Sequence, residues 1–220
     1  MVVEKISPIR MYKPGVRSPT WLVVIGAGAG GPQALAQLLP LFPTGLPATI
    51  VLIQHIRRGF TRVIVDLLGP TCEMLMYEIE HRQALQASRI AIAPASSRLT
   101  IANTGDSVTP SYKFTLEETG SSPEQIYSRI DAAMASAAKA FGAKAIGVLL
   151  TGFGTDGLEG MRAIRNAGGL TIVQDEASSM VHYMPASAVD AGVVRQALPL
   201  WEIADRIGSI LRGEADANAA

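Results

Sequence analysis

Cysteine, net charge and long apolar runs are all scarce in this sequence, and each scarcity excludes something. Cys72 is the only cysteine in 220 residues, so no internal disulfide can form and a secreted disulfide scaffold is ruled out. Lys+Arg and Asp+Glu number 19 each, giving a formal net charge of +0, whereas a dedicated nucleic-acid binder carries a strongly basic domain. No apolar run approaches the ~18 residues of a spanning helix, so direct membrane insertion is not expected. Basic residues are scattered over positions 1–20 but no apolar segment follows them, unlike a signal peptide. No cluster of His, Cys and carboxylates has metal-ligand spacing, and neither a metal nor a cofactor is expected. What is present is a chain that is 48% hydrophobic and only 17% charged, with 21 glycines. That composition excludes overall disorder and suits a globular, cytoplasmic protein.

Residues 1–20, with Pro8, Pro14 and Pro19, read as an arm or linker remnant. From Trp21 the pattern changes. Apolar runs at 21–26, 48–55, 89–94, 145–150 and 170–174 read as strands. Helical patterns fall at 32–42, 59–69, 126–141, 157–168, 185–191 and 200–213, and Pro32 suits the start of the first. A hairpin is expected from 98–102 and 107–112 across a turn at 103–106, followed by a polar loop at 117–125. Strands alternating with helices, several apolar throughout, indicate one α/β domain over 21–213 with a C-terminal tail at 214–220. Its sheet should be doubly wound and mostly parallel with helices on both faces, plus a small antiparallel hairpin. In such sheets the chemistry gathers beyond the carboxyl ends of strands.

Three of those ends carry candidates. The first strand runs into Gly26-Ala27-Gly28-Ala29-Gly30-Gly31 and then a helix, so positions 26, 28 and 31 satisfy G-x-G-x-x-G. A nucleotide reading needs an acid at the next strand's end to hold the ribose, and that strand ends in Ile53-Gln54-His55. A tight turn that needs glycines is the plainer reading. At the second end, His55 is followed by Arg57, Arg58 and Arg62, either a solvated surface or a patch for an acidic partner. At the third, Asp156 with Glu159 fits a cap on the helix that follows. Alternatively, the Asp156 carboxylate could face His55 and set its tautomer, as in nucleophilic hydrolysis.

The blocks VVIGAGAGGPQAL (23–35), VLIQHIRRGFT (51–61), RIAIAPASSRLTI (89–101) and LLTGFGTDG onward (149–189) resemble the catalytic domain of the chemotaxis protein-glutamate methylesterase (CheB) family. The resemblance spans nearly the whole chain from Trp21. It implies a serine hydrolase that removes methyl groups from glutamyl esters on receptor helices, and often deamidates glutamines. By position, His55 would be the general base, Asp156 the acid that orients it, and the amides near Ala29 and Phe153 the oxyanion site. The partners implied are the cytoplasmic helices of methyl-accepting receptors or a related signalling protein, met by Arg57, Arg58 and Arg62.

Three departures qualify the resemblance. The family's nucleophilic serine sits in G-A-S-x-G-G, and Gly28 stands in its place. The family's H-R-P-S-V-D segment is Ile126-Tyr127-Ser128-Arg129-Ile130-Asp131 here, keeping the aspartate but not the basic pair. The family's N-terminal receiver domain does not fit in 20 residues, so a receiver would act in trans. Ser96, Ser97, Ser178 and Ser179 have no nucleophilic role by resemblance, and His81 and His182 are unassigned. The readings are therefore an impaired methylesterase, a catalytically silent receptor- or partner-binding module of the same fold and, more distantly, a nucleotide-binding domain.

Overall fold

Apolar five- to seven-residue runs cannot satisfy their backbone alone, and pairing them side by side buries both faces. In the computed structural model, which describes residues 17–106, 110–119 and 128–215, this produces a seven-stranded parallel sheet. Its strands are β1 (Trp21–Ala27), β2 (Ala48–Gln54), β3 (Leu75–Glu78), β4 (Arg89–Ile92), β7 (Ala145–Leu149), β8 (Leu170–Gln174) and β9 (Gln196–Leu198), in the order β3-β4-β2-β1-β7-β8-β9. β5 (Ser97–Asn103) and β6 (Tyr112–Glu118) form a separate antiparallel pair. The helices are α1 (Gly31–Leu38), α2 (Thr61–Leu68), α3 (Arg129–Phe141), α4 (Leu158–Asn166), α5 (Tyr183–Asp190) and α6 (Leu200–Leu211).

The two-residue period of the strands divides the core into two layers. Val23, Ile25, Ile50, Leu52, Ile146 and Val148 face one side with α1, α2 and α6. Leu22, Val24, Val51, Ile53, Ala145 and Leu149 face the other with α3, α4, α5 and the β5–β6 pair. Helices thus cover both faces, as the alternation of strands and helices predicts.

Two short edge strands, β3 and β9, are absent from the sequence reading; at four and three residues they are too short for a pattern to emerge. The second hairpin strand also lies further on. It is Tyr112–Glu118, where Phe114 is buried and Lys113 and Glu117 are exposed in alternation; of the expected 107–112, residues 107–109 lie outside the described part. The segment expected as a loop from 117 therefore begins as strand. The first helix of the second half starts at Arg129, and residues 126–127 lie outside the described part, as do 1–16 of the expected arm and 216–220 of the tail.

The sheet order places a reversal between β1 and β7. From β1 the chain winds outward through β2 and β4 on one side, and β7 opens the other. Beyond the carboxyl ends of those two strands lies the crevice in which doubly wound sheets place their sites. Gly28 N–H donates to Thr151 O (2.9 Å) across it, locking the two turns together.

Candidate active site

The turn after β1 holds four glycines with unequal reasons for being there. Gly30 has φ +80°, a left-handed conformation that disfavours a side chain. A Cβ on Gly31 would run into the Gln54 amide, and one on Gly26 would lie 2.5 Å from Ile130 Cγ2. Gly28 has neither a positive φ nor so deep a clash. A Cβ there would meet Gly152 Cα at 3.0 Å and Phe153 N at 3.5 Å, so a side chain requires the facing backbone to give by a few tenths of an ångström. The need for glycine in the turn accounts for three of the four.

His55 follows β2 directly, and its amide donates to Ala27 O (2.8 Å), one residue before Gly28. Its Nε2 lies 2.7 Å from Asp156 Oδ2, with the histidine side chain 15% and the aspartate side chain 3% exposed. A carboxylate only accepts, so Nε2 carries the proton and Nδ1 is the basic nitrogen. The 101-residue separation of these two groups closes because β2 and β7 flank β1.

Asp156 does more than hold the imidazole. Its Oδ2 also accepts from Ile130 N–H (3.0 Å) and its Oδ1 from Asp131 N–H (2.9 Å), two otherwise unpaired amides at the start of α3. Asp131 returns the favour with Oδ1, accepting from Gly157 N–H (2.9 Å) and Gly160 N–H (2.7 Å) at the start of α4. Each aspartate caps the other's helix. The local cap expected of Asp156 on its own helix is thus overturned: α4 starts one residue too late, with Gly157 at φ +101° as its N-cap. Burial raises the Asp131 carboxyl above its ordinary 3.8, opposed by the Gly160 amide and reinforced by the charges of Asp156 and Glu159.

Several site residues escaped the sequence reading. Gln54 is buried and donates Nε2–H to Gly28 O (2.8 Å) and His55 O (3.1 Å), bracing the turn. Thr151 Oγ1 donates to Ala29 O (2.9 Å) and accepts from Val181 N–H (2.8 Å), while Gln174 Oε1 accepts from Thr151 N–H (2.9 Å). Their signal was a polar residue at or just past the end of an apolar strand. Arg129 is 2% exposed and donates Nε–H to Ser97 O (2.9 Å) and Nη2–H to Pro94 O (2.8 Å). Burial lowers its pKa, with Asp156 opposing and Arg58 adding to the shift.

The remaining candidates are dispersed. Ala29 and Phe153 sit exposed on the two facing turns. Arg57 is exposed, Arg58 donates to Thr119 O, and Arg62 pairs with Asp66 one turn along α2 (3.0 Å). Ser178 donates to Asp175 Oδ1 and Ser179 to Asp175 O, away from the His55 dyad. Ser96 O accepts from Thr119, and Ser97 is buried in β5. His81 Nδ1 accepts from Leu116 N–H on the hairpin, and His182 is the N-cap of α5. Among the described residues, no group of three or more His, Cys, Asp or Glu is placed to hold a metal ion.

The family model for CheB methylesterase matches residues 23–207. The chain belongs to the CheB methylesterase family. Among its relatives, a protein-glutamate methylesterase/protein-glutamine glutaminase of Carboxydothermus hydrogenoformans is 43% identical over 188 residues, 86% of this chain and 54% of that protein. The protein-glutamate methylesterase FrzG of Myxococcus xanthus is 39% identical over 193 residues, 88% of this chain and 54% of that protein. The crystal structure of the Thermotoga maritima CheB methylesterase catalytic domain superposes with a TM-score of 0.80 at 29% identity, covering 86% of this chain and 98% of that one. This CheB-family chain thus spans about half the length of the curated relatives it matches. It has the α/β fold of the Thermotoga domain. Among its described residues, no helix is long and apolar enough to cross a membrane.

Proposed function

We propose that residues 21–213 are a protein-glutamate methylesterase-type domain that receives the modified glutamyl side chain of a chemotaxis receptor helix, with hydrolysis crippled at Gly28. One observation carries the reading: the His55–Asp156 dyad is hydrogen-bonded beside a turn whose position 28 bears no side chain, where a Cβ would need only a few tenths of an ångström from Gly152. His55 is the base and Asp156 holds it. The amides of Ala29 and Phe153 would bind the oxyanion, the latter beside the position a serine Cβ would take. Arg57, Arg58 and Arg62 would face an acidic receptor surface. Such a domain works in the cytoplasm, under the control of a phosphorylated receiver domain.

Glycine has no atom to attack an ester, and loss of the serine costs on the order of 10⁶ in turnover in a dissected serine protease. That favours a second reading, a module that occupies receptor helices or a partner protein without turning them over. The test is Gly28→Ser, assayed for methanol release from methylated receptor fragments beside the parent. The expected result is turnover in the serine form only. A parent that already releases methanol at enzyme-like rates and survives His55→Ala overturns the assignment of the site. A folded serine form that stays silent, with receptor fragments bound by the parent, selects the binding module. Saturable micromolar binding of NAD or ATP would instead revive the nucleotide reading of the glycine turn.

A further inference from the structure

We infer that the amino end of the sheet, opposite the His55 crevice, holds a binding pocket for a small anion with a planar ring, the chemistry of a nucleoside monophosphate. The proposed reaction makes no use of this end of the molecule.

The strands that carry the candidate site at their carboxyl ends begin at a second cavity. It measures about 420 Å³ and lies between Arg17 and Pro19 on the approach to β1, Pro110 and Tyr112 at the start of β6, Phe141 at the end of α3, and Lys144 just before β7. That volume falls in the roughly 300–1,000 Å³ range of small-molecule sites. β1 is seven residues long, so the cavity and the Gly28 turn are on the order of 20 Å apart.

Its walls are tied down through the main chain. Arg17 O accepts from Ala87 N–H (3.0 Å), and the amides of Thr20 and Trp21 both donate to Pro47 O (2.9 and 3.2 Å). Tyr112 O accepts from Leu85 N–H (2.9 Å). The Tyr112 ring stacks on that of Phe141, with centroids 4.0 Å apart and 24° between the planes. Phe141 is buried and covers one face of the half-buried Tyr112, which leaves the other face and the hydroxyl for a ligand. Burial pushes the Tyr112 hydroxyl above its ordinary range, so at neutral pH it is protonated and can donate. A tyrosine ring held flat by a second ring, with two prolines beside it, is a platform for a planar ring.

The charge around this platform is of one sign. Arg17 and Lys144 are exposed and join no ion pair among the described residues, and none of the residues lining the cavity is acidic. The sequence before Arg17 adds Lys5, Arg10 and Lys13 against Glu4 alone, so that segment is repelled as an occupant and an anion is attracted. A guanidinium fork and an ammonium point charge suit phosphate oxygens, while the tyrosine face takes the ring to which the phosphate is attached.

Calorimetric titration of the chain as it stands with adenosine monophosphate, adenosine and inorganic phosphate tests this. The nucleotide should bind saturably and at least about tenfold more tightly than either fragment, because only it engages both the ring platform and the cations. Arg17→Glu and Lys144→Glu together should weaken it at least about tenfold, the scale of a lost charge-assisted contact. Both side chains are exposed, so this variant keeps the fold. Tyr112→Leu should weaken the nucleotide and leave phosphate binding unchanged. Should that variant fail to fold, the parent still decides: bound nucleotide should slow acetylation of Lys144, read by mass spectrometry. Nucleotide that binds no more tightly than phosphate, that leaves Lys144 as reactive as before, or that does not bind at all overturns the inference. So does nucleotide binding that survives both charge reversals, which belongs to the glycine turn at the other end of β1.

Discussion

The turns after β1 and after β7 meet back to back, Gly28 against Gly152, and they hold their chemistry in opposite ways. In the β7 turn the working group, Asp156, is also structural: three hydrogen bonds tie it to His55 and to the start of α3. In the β1 turn structure and chemistry are separate. Gly26, Gly30 and Gly31 are held to glycine by deep clashes or by φ, while at 28 a side chain would need only a small retreat of Gly152. A side chain that holds both a histidine and a helix start cannot be lost cheaply, whereas one that serves only a reaction can vanish with the fold intact. Under the proposed function, that difference accounts for a glycine beside an intact His55–Asp156 pair.

The comparison breaks first on activity. In the Gly28→Ser background, His55→Ala should cut methanol release by about 10⁴–10⁶-fold, the loss seen when one triad member is removed. Retention of turnover would show that the restored serine works without the dyad.

Asp156→Ala should come next, costing about 2–4 kcal/mol in urea unfolding, because it leaves helix-start amides unpaired in a buried site. A loss below about 0.5 kcal/mol would mean that the crossed caps are ornamental. The β1 turn should then divide internally. Gly31→Ala, driven into Gln54, should lower stability by about 1–3 kcal/mol. Gly28→Ala should stay within about 1 kcal/mol of the parent, since the small approach to Gly152 is offset by a stiffer unfolded chain. Equal losses would erase the distinction between the glycines.

The smallest effect concerns Asp131, partner of Asp156 in the crossed caps. Its carboxyl is raised in the folded state, so the folded chain binds the proton more tightly than the unfolded one. That contribution is complete below the ordinary 3.8 and fades as pH rises through the raised value. Asp131→Asn does not titrate. The parent should therefore gain on this variant as pH falls from 7 toward 4, read from paired urea curves. A difference that is flat, or that moves the other way, refutes the direction of the shift.

Most of the architecture was legible because buried parallel strands write themselves as apolar runs. β1, β2, β7 and β8 were all read this way, and the helices between them showed apolar faces. β3 and β9 left no such trace, being short and at the sheet edges. The hairpin's second strand was placed too early, since its alternation begins at Tyr112, after the segment that drew attention. At the site, strand ends pointed to Gly28, His55 and Asp156. Gln54, Thr151, Gln174 and Arg129 were hidden because a buried polar side chain is justified by a carbonyl or amide from a distant segment, and a sequence does not display distance.

By itself, then, the sequence determined the α/β class, the candidate residues at the strand ends and the glycine at residue 28, because period, turn residues and residue identity are local properties. Only the tertiary structure decided that His55 meets Asp156, that Asp156 caps α3 rather than its own helix, and that Gly28 packs against Gly152. Each of those is a relation between segments, settled by strand order and by the atoms that the fold brings within 3 Å.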